Sequence, residues 1–393
     1  MLSPDATVQS DRTVLEAAFT QLEQWGDTRD WSGTDPYDAL NASRFSTAFQ
    51  RSVTGKRLLT QLVKRSPLDL RPFFGIPPAE SSVSLAFVAS AYARQHWLSD
   101  SDTDRRINRT LDRLAALRCD GYAQPCWGYH FDVQTRVFFY PKGSPNTIAT
   151  AFAGQALLDG YERTGNDDLL STAGETAEFF LEHVPQTKAG QGACFGYLAG
   201  DSTPIHNANM LVAAFLARAG RATGRDDLLE RAAAATRYSV ALQREDGSWP
   251  YGELPGLEWV DGFHTGYVLE ALLMCHRCGI AECADALARG LAFYRRELFR
   301  PDGTPKYLPS SVYPIDAQCA AQGIQTLALA AQLDPANADM AWRVFAYTQQ
   351  RLRRRDGSYR FQRRRLWSNG TPHMRWVAAP LLLAFSHLGT VPV

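Results

Sequence analysis

Residues 144–161 read SPNTIATAFAGQALLDGY, a short polar segment that runs into a long apolar stretch rich in alanine. The same pattern recurs in five other segments. They are PAESSVSLAFVASAYARQ (78–95), PIHNANMLVAAFLARAG (204–220), VDGFHTGYVLEALLMCHRCG (260–279), YPIDAQCAAQGIQTLALAAQ (313–332) and GTPHMRWVAAPLLLAFSHLG (370–389). With Ser84, Asn146, Asn207, His264, Asp316 and His373 as markers, successive copies lie 62, 61, 57, 52 and 57 residues apart. A near-constant period of this kind indicates a repeat architecture.

Amphipathic segments with charged faces alternate with these apolar helices. They cover residues 102–117, 167–183, 226–243, 282–298 and 337–352. Their apolar residues recur at helical spacing on one side only, which is typical of helices that pack on a core with one face. Two N-terminal helices, at 13–25 and 45–62, can supply the remaining outer partner. The pattern therefore predicts an all-α fold, an (α/α)6 toroid or barrel with an inner and an outer ring.

Short loops precede the apolar helices, and several contain Asp-Gly followed by aromatic residues, as in DGSWPYGE at 246–253 and DGSYRF at 356–361. Such sequences favour tight turns or β-hairpins. We expect short β-hairpin loops at the end of the barrel where the inner helices begin. No linker interrupts residues 35–390, so we expect one toroid domain, 35–393, preceded by residues 1–34, an N-terminal extension with the first outer helix.

Composition excludes several classes of protein. The 393 residues carry 41 Lys and Arg against 41 Asp and Glu, and this balance argues against a nucleic-acid binder. The longest apolar stretches, such as 377–385, are too short to cross a bilayer, and no secretory signal is visible, so we expect a cytoplasmic protein. Cys275 and Cys278 form a lone C-x-x-C at the end of an apolar helix, so we expect buried thiols, no bound metal and no cofactor.

The repeat resembles the α/α-toroid superfamily, which includes six-hairpin glycosidases, sugar epimerases, terpenoid cyclases and some polysaccharide lyases. A narrower resemblance involves DPYDALN (35–41), WGYHFDVQTRVFFYPKGSPNT (127–147), DGFHTGYVLEAL (261–272) and PKYLPSSVYPIDAQ (305–318). These segments look like a bacterial family associated with polysaccharide biosynthesis whose members often carry a delta-aminolevulinic acid dehydratase label. True dehydratases resemble a β/α barrel, whereas this repeat is helical. The resemblance implies polysaccharide assembly or processing and no established reaction.

Polar residues at the starts of the inner helices are the first candidates for a site, because the pocket of such a barrel forms where these starts converge. Helix N-termini also offer free N–H groups to anionic ligands. Asn146, Asn207, Asn209, Gln318 and Arg375 are the candidates for substrate binding. Helix capping is the alternative for asparagine, but histidine caps helices poorly. His206, His264 and His373, at the starts of three inner helices, are therefore candidates for catalysis.

The richest segment is ELPGLEWVDGFHTG, residues 253–266, which contains the carboxylates Glu253 and Asp261 and the imidazole His264. Paired carboxylates serve as acid and base in glycoside hydrolysis, and histidine moves protons near neutral pH. Asp261 and His264 are three residues apart and face the same side of a helical turn, as a catalytic or a structural pair. Asp316 stands at the matching place in the next repeat.

Aromatic residues beside these loops suggest a sugar-binding groove, although any one of them can simply fill the core. The candidates are Trp249, Tyr251, Trp259 and Tyr129, together with the carboxylate of Asp132. Arg375 can pair with a substrate carboxylate through its planar fork. The basic run at 351–365 is either a solvated face or a site for an anionic polysaccharide or a membrane surface.

Three functions remain open from the sequence. The first is an enzyme that acts on a uronate-containing polysaccharide or oligosaccharide by hydrolysis, elimination or epimerisation. The second is isoprenoid chemistry, for which Asp316, Cys319 and His373 have the residue types of a prenyltransferase-like zinc site, with different spacing. The third is a non-catalytic scaffold that binds a glycan or lipid.

Overall fold

The computed structural model describes residues 4–44, 52–95, 97, 99–134 and 139–392. Its α-helices are, in chain order, α1 (Pro4–Asp27), α2 (Val53–Arg65), α3 (Arg71–Phe74), α4 (Ser82–Arg94), α5 (Asp100–Ala116), α6 (Thr147–Thr164), α7 (Asp167–His183), α8 (His206–Thr223), α9 (Asp226–Ala241), α10 (Gly262–Arg277), α11 (Ala284–Glu297), α12 (Ala317–Leu329), α13 (Pro335–Arg351) and α14 (Ala379–Leu388). Two 3-10 turns cover Asp38–Asn41 and Ala281–Cys283, and a π-helical turn, Met374–Ala378, leads into α14.

Six of these helices form a closed inner ring, and each of them contains one of the six repeated segments. Helix α4 packs on α6, and α6, α8, α10, α12 and α14 continue the ring until α14 returns to α4. In α8, every residue from His206 to Gly220 is buried, as expected of a helix covered on both sides. Alanine and glycine allow the close approach: a Cβ on Gly154 would lie 2.4 Å from the ring of Phe215. The predicted all-α toroid is confirmed.

The outer ring consists of α1, α5, α7, α9, α11 and α13, which include the amphipathic segments identified in the sequence. Helix α1 packs on α14 and is the outer partner of the last inner helix. The other predicted N-terminal helix covers residues 45–62. Residues 45–51 lie outside the described part of the chain, and residues 53–62 belong to α2. Helix α2 packs instead on the turn Asp38–Asn41. The expected division at residue 34 remains a prediction.

Strands are short and lie in the loops. Strand β1 (Val133–Gln134) pairs with β2 (Phe139–Tyr140), and β3 (Gln186–Ala189) pairs with β4 (Gly192–Phe195). Strand β6 (Gln362–Arg363) lies between β5 (Ile315–Asp316) and β7 (Ser368–Asn369). All pairings are antiparallel. Strand β5 directly precedes α12, so these pairings help to position the start of an inner helix.

The Asp-Gly motifs form tight turns after three outer helices. In each, the aspartate side chain accepts from a backbone N–H two residues on: Asp246 from Ser248 at 2.9 Å, Asp302 from Thr304 at 3.0 Å and Asp356 from Ser358 at 3.2 Å. The glycine after each aspartate has a φ between +83° and +93°, which only glycine adopts without strain. These turns therefore have a sequence requirement of their own.

Arg94, Asp159 and Arg218 form an ion cluster on three successive inner helices, in which Asp159 and Arg218 are buried and Arg94 is half-buried. The Asp159 carboxylate lies 2.6 Å from the Arg94 guanidinium and 2.8 Å from that of Arg218. Burial raises the pKa of Asp159, but the two guanidinium groups outweigh this effect and bring it to about 2. The cluster therefore connects α4, α6 and α8 through opposite charges.

No helix in the described ranges combines the length and the apolarity needed to cross a bilayer.

Replacing Gly303 by alanine should destabilise the protein by about 2–4 kcal/mol, because φ is positive and the new Cβ would lie 2.4 Å from the backbone of Arg343. Gly121→Ala is the matched control, since its φ is also +83° but nothing lies within 4 Å of the added Cβ. Thermal unfolding of both variants measures the difference. Equal losses would contradict the role assigned to the close contact.

Replacing Asp159 by asparagine should cost about 3 kcal/mol, because the half-buried Arg94 loses its carboxylate partner and the buried Arg218 keeps only Glu162. The pKa of Asp159 is about 2 in the folded protein and 3.8 in the unfolded chain. The ionised carboxylate therefore stabilises the fold by about 2 kcal/mol above pH 3.8, and this stabilisation is lost as the pH falls towards about 2. Urea unfolding between pH 7 and pH 2 should show a smaller acid-induced loss in the variant. Asp30→Asn removes an exposed pair with Arg109 and should cost less than about 1 kcal/mol.

Candidate functional site

The starts of the inner helices meet at one end of the barrel, and three of the candidate residues cap them. Asn146 accepts from the backbone N–H of Ala149 at 2.8 Å, Asp261 from that of His264 at 2.9 Å, and Asp316 from that of Gln318 at 2.8 Å. All three capping side chains are buried. Capping therefore accounts for Asn146 and uses one oxygen of each carboxylate.

Aromatic rings form a continuous arc around this end of the barrel, which we call the aromatic cup. Tyr251 stacks on Trp259 and approaches His264, with 4.5 Å between ring centroids in both pairs. Phe263 lies next to His264 and 5.2 Å from Trp376, which in turn lies 5.6 Å from Tyr37. The cup consists of Trp259, Tyr251, His264, Phe263, Trp376 and Tyr37. Its partly exposed rings, those of Trp259, Tyr251 and Tyr37, have flat faces of the kind that sugar rings stack on, whereas Phe263 and Trp376 are buried behind them.

The Asp261–His264 pair lies in the wall of the cup. Oδ2 of Asp261 is 2.7 Å from Nδ1 of His264 and also accepts from Nε1 of Trp259 at 3.0 Å. The side chain of Asp261 is 1% exposed, whereas that of His264 is 20% exposed. A small crevice of about 10 Å³, the size of one water molecule, borders both residues, together with Asn207, Trp249, Tyr251, Trp259 and Thr265. The carboxylate orients the ring, and Nε2 is the nitrogen that remains for a ligand.

Arg375 stands across the cup and is held by Asp35. Its Nε and Nη2 lie 2.5 and 2.8 Å from the two carboxylate oxygens of Asp35. The guanidinium group also lies 4.9 Å from the ring centroid of Tyr129 and 5.3 Å from that of Trp376. Burial raises the pKa of Asp35, but the charge and hydrogen bonds of Arg375 lower it overall. The pair is therefore ionised, and the arginine is fixed.

Lys64 of α2 adds a second cation. Its Nζ donates to the hydroxyl of Tyr37 at 2.5 Å and lies 5.7 Å from the ring centroid of Trp376. Lys64 has no acidic partner in an ion pair among the described residues. Trp376 thus lies between Lys64 and Arg375.

Asp316 supports Trp376 and lies out of reach of a ligand. Its fully buried carboxylate accepts from Nε1 of Trp376 at 3.1 Å and from Nε2 of Gln362 at 2.6 Å. Burial dominates and raises the pKa of Asp316. Gln318 donates to the hydroxyl of Tyr267 at 2.7 Å, and its own carbonyl oxygen is buried without a hydrogen-bond partner among the described residues.

His206 and Asn209 point away from the cup, towards outer helix α9. Nδ1 of His206 lies 3.1 Å from the hydroxyl of Ser239, and Nε2 lies 2.5 Å from Glu253, whose pKa is lowered by this hydrogen bond. Asn209 donates to the same Ser239 hydroxyl at 3.0 Å. Asn207, one residue after His206, borders the crevice instead. Glu253 and His206 form a second acid–imidazole pair, outside the arc of rings.

His373 is fully buried, and its Nδ1 lies 2.9 Å from the hydroxyl of Thr34. Burial lowers its pKa well below the usual value, so the ring is neutral. In the part of the chain that the structure describes, no three His, Cys, Asp or Glu side chains gather to hold a metal ion, and Asp316, Cys319 and His373 do not form a cluster. These three residues therefore do not fit a zinc site.

The remaining candidates have structural contacts. Trp249 is 2% exposed and donates from Nε1 to the carbonyl of Ser239 at 2.7 Å. Asp132 accepts from the backbone N–H of Lys142 at 2.7 Å, and the hydroxyl of Tyr129 lies 3.3 Å from that of Tyr197. Asp35, Tyr37 and Lys64 were not predicted as site residues. The signals were two segments of the narrower sequence resemblance, DPYDALN at 35–41, which contains Asp35 and Tyr37, and KRSPLDLRPFFGI at 64–76, which begins with Lys64.

No protein-family model and no curated protein matches the chain. An unsaturated glucuronyl hydrolase specific for heparin has a similar structure, with a TM-score of 0.61, 12% identity and 96% of each chain covered. For a GH76 α-mannanase from Bacteroides thetaiotaomicron, the TM-score is 0.60 at 13% identity, covering 79% of this chain and 86% of the mannanase.

A cellobiose 2-epimerase from Bacillus thermoamylovorans is also similar, with a TM-score of 0.58, 12% identity, and 78% of this chain and 87% of the epimerase covered. At these identities the likeness concerns the fold. No match supports the narrower resemblance to dehydratase-labelled proteins. The chain shares the α/α-toroid architecture with these enzymes.

Proposed function

We propose that the protein is a carbohydrate-active enzyme that transfers protons on a sugar bound in the aromatic cup. The observation that carries this proposal is His264, whose Nδ1 is held by a buried carboxylate while its ring is partly exposed beside a small crevice next to Tyr251 and Trp259. An imidazole oriented in this way can remove and return a proton. The toroid enzymes with a similar fold, which include a glucuronyl hydrolase and a sugar epimerase, are consistent with a glycan substrate.

The substrate that we propose is a uronate-containing polysaccharide or oligosaccharide. Lys64 and Arg375 lie 5.7 and 5.3 Å from the ring centroid of the buried Trp376, so a sugar bound at this edge of the cup would have its carboxylate close to a cation. Two donors of Arg375 are already engaged by Asp35, whereas Lys64 has only the hydroxyl of Tyr37 among its described hydrogen-bond partners. Lys64 is therefore the principal partner for the carboxylate, and Arg375 assists. A neutralised carboxylate increases the acidity of the neighbouring C5 proton.

Elimination and epimerisation begin with the same step in this site. Nε2 of His264 takes the C5 proton, and the electron pair remains at C5, stabilised by the carboxylate. Elimination follows when the oxygen on C4 leaves with its bonding pair and a C4–C5 double bond forms. Epimerisation follows when a water molecule donates a proton to the opposite face of C5, and His264 releases the first proton to solvent. Asp261 acts as a positioning residue in both, because its carboxylate is buried behind the imidazole.

The carboxylates are less suited to hydrolysis, which requires two carboxyl groups that flank the glycosidic bond. Asp261 and Asp316 are buried and fully hydrogen-bonded, and Glu253 is bound to His206. We infer from the sequence resemblance that the reaction belongs to bacterial polysaccharide biosynthesis or processing, and we retain the cytoplasm as its proposed location.

His264→Gln should lower turnover of a uronate-containing glycan by about 10²–10⁴-fold, because the group that takes the proton is lost. Unsaturated product, epimer and new reducing ends should be followed in parallel on a broad panel of such glycans. His183→Gln changes a histidine of outer helix α7 and should leave turnover unchanged. If the wild-type protein produces none of the three products, the enzymatic proposal fails, and binding without turnover would favour a scaffold.

Lys64→Gln should raise KM for a uronate substrate by about 10–100-fold, because a charge-assisted hydrogen bond to the carboxylate is lost. The effect should be much smaller on a carboxyl-reduced version of the same glycan. Lys56→Gln on the same helix is the matched control, since its Nζ lies over the ring of Phe139, 3.8 Å from the centroid. Equal losses on the acidic and the reduced glycan would show that Lys64 does not bind the carboxylate.

A further inference from the structure

Helix α2 is apolar on two sides. Leu59 and Val63 are buried against the body of the protein, as one apolar face requires. Leu58 and Leu62, one turn apart, are 58% and 53% exposed on another side of the helix. An exposed leucine is ordinary by itself, but a stripe of them on a helix that already has a buried face indicates a second contact.

Other exposed apolar residues lie on segments next to this helix. Leu68, just before α3, is 71% exposed, and Phe73, within α3, is 74% exposed. Leu366, at the tip of the β6–β7 hairpin, is 91% exposed. The hairpin is held against the end of α2 by a hydrogen bond of 3.2 Å from Asn369 to the carbonyl of Lys64.

The same segments are basic. Helix α2 contains Lys56, Arg57, Lys64 and Arg65 and no acidic residue, and the hairpin contributes arginines at 363–365. Asp69, between α2 and α3, pairs with Arg71. The chain as a whole has no net charge, so this is a local excess. We define the docking face as Leu58, Leu62, Leu68, Phe73, Leu366, Arg57, Arg65 and Arg365.

We propose that the docking face binds the surface of an anionic lipid bilayer. Leucine and phenylalanine side chains would enter the boundary between headgroups and acyl chains, while the arginines contact lipid phosphates. A bilayer surface therefore accounts both for the exposed apolar side chains and for the arginines of the docking face. An acidic polysaccharide would use the cations but has no need of exposed leucines, and a symmetric contact with a second copy would bring like charges together.

The basic run at 351–365 contributes to this face only through its last residues. Arg353 and Arg354 lie in the turn that follows α13. Arg353 donates a hydrogen bond to the side chain of Gln21, and Arg354 donates one to the backbone carbonyl of Gly370. The proposal therefore rests on α2, α3 and the hairpin tip. It is independent of the proposed function, although α2 also provides Lys64 to the cup.

Flotation with vesicles measures the binding. Vesicles of phosphatidylcholine with about 30% phosphatidylglycerol should bind the full chain, vesicles of phosphatidylcholine alone should bind it much more weakly, and raising the salt concentration should weaken binding to the former. Leu62→Ser should reduce binding about tenfold, because an inserted leucine is lost. Arg365→Gln should reduce it about fivefold, as expected for one cation near the surface.

Two matched controls keep the test specific. Leu333→Ser changes a leucine that is 52% exposed at another place, close to the 53% of Leu62, and Arg300→Gln removes an exposed cation elsewhere. Neither should alter vesicle binding, and unchanged thermal unfolding shows that each variant is folded. The proposal is overturned by absence of binding to anionic vesicles, or by controls that lose as much as the face variants. It is also overturned if Leu62→Ser abolishes a dimer in solution, or if the face binds hyaluronan and not vesicles.

Discussion

The pairing of Asp35 with Arg375 joins the two ends of the chain and determines the geometry of the cup. Asp35 follows the first outer helix, and Arg375 lies in the turn that begins the last inner helix, 340 residues later. Thr34 reinforces this junction, because its carbonyl accepts from Met374 at 3.0 Å and its hydroxyl contacts His373. A closed ring must have such a junction, and here it places a fixed guanidinium group beside Trp376. The contact that closes the ring therefore also positions a side chain of the site.

Within the cup, the buried carboxylates hold other side chains and the exposed groups can meet a ligand. Asp35 holds Arg375, Asp261 holds His264, and Asp316 holds Trp376 through its indole nitrogen. A carboxylate that is buried and hydrogen-bonded keeps its partner in one orientation, which is the condition for precise chemistry at the exposed atom. The division of roles differs from the sequence interpretation, in which Asp261 and Asp316 were themselves candidates for catalysis.

Much of the site could be predicted because helix starts in a repeat converge. That argument placed Asn207, His264 and Arg375 at the end of the barrel where the inner helices begin. It failed to give the direction of side chains: His206 and Asn207 are neighbours in sequence, but one contacts Ser239 of the outer ring and the other borders the crevice. Lys64 and Asp35 were missed because they lie outside the repeat, in N-terminal segments that fold back over the ring.

Helical periodicity and a constant repeat are local properties, so the amino-acid sequence is enough to predict the toroid, its inner and outer rings and the end at which polar residues gather. The folded chain is needed to show which aromatic rings face one another, which imidazole is exposed and which cation lacks an acidic partner in the described residues. Those outcomes depend on contacts between residues that are tens to hundreds of positions apart. The exposed leucines of α2 belong to this second group, since a sequence pattern does not show which of two apolar sides remains uncovered.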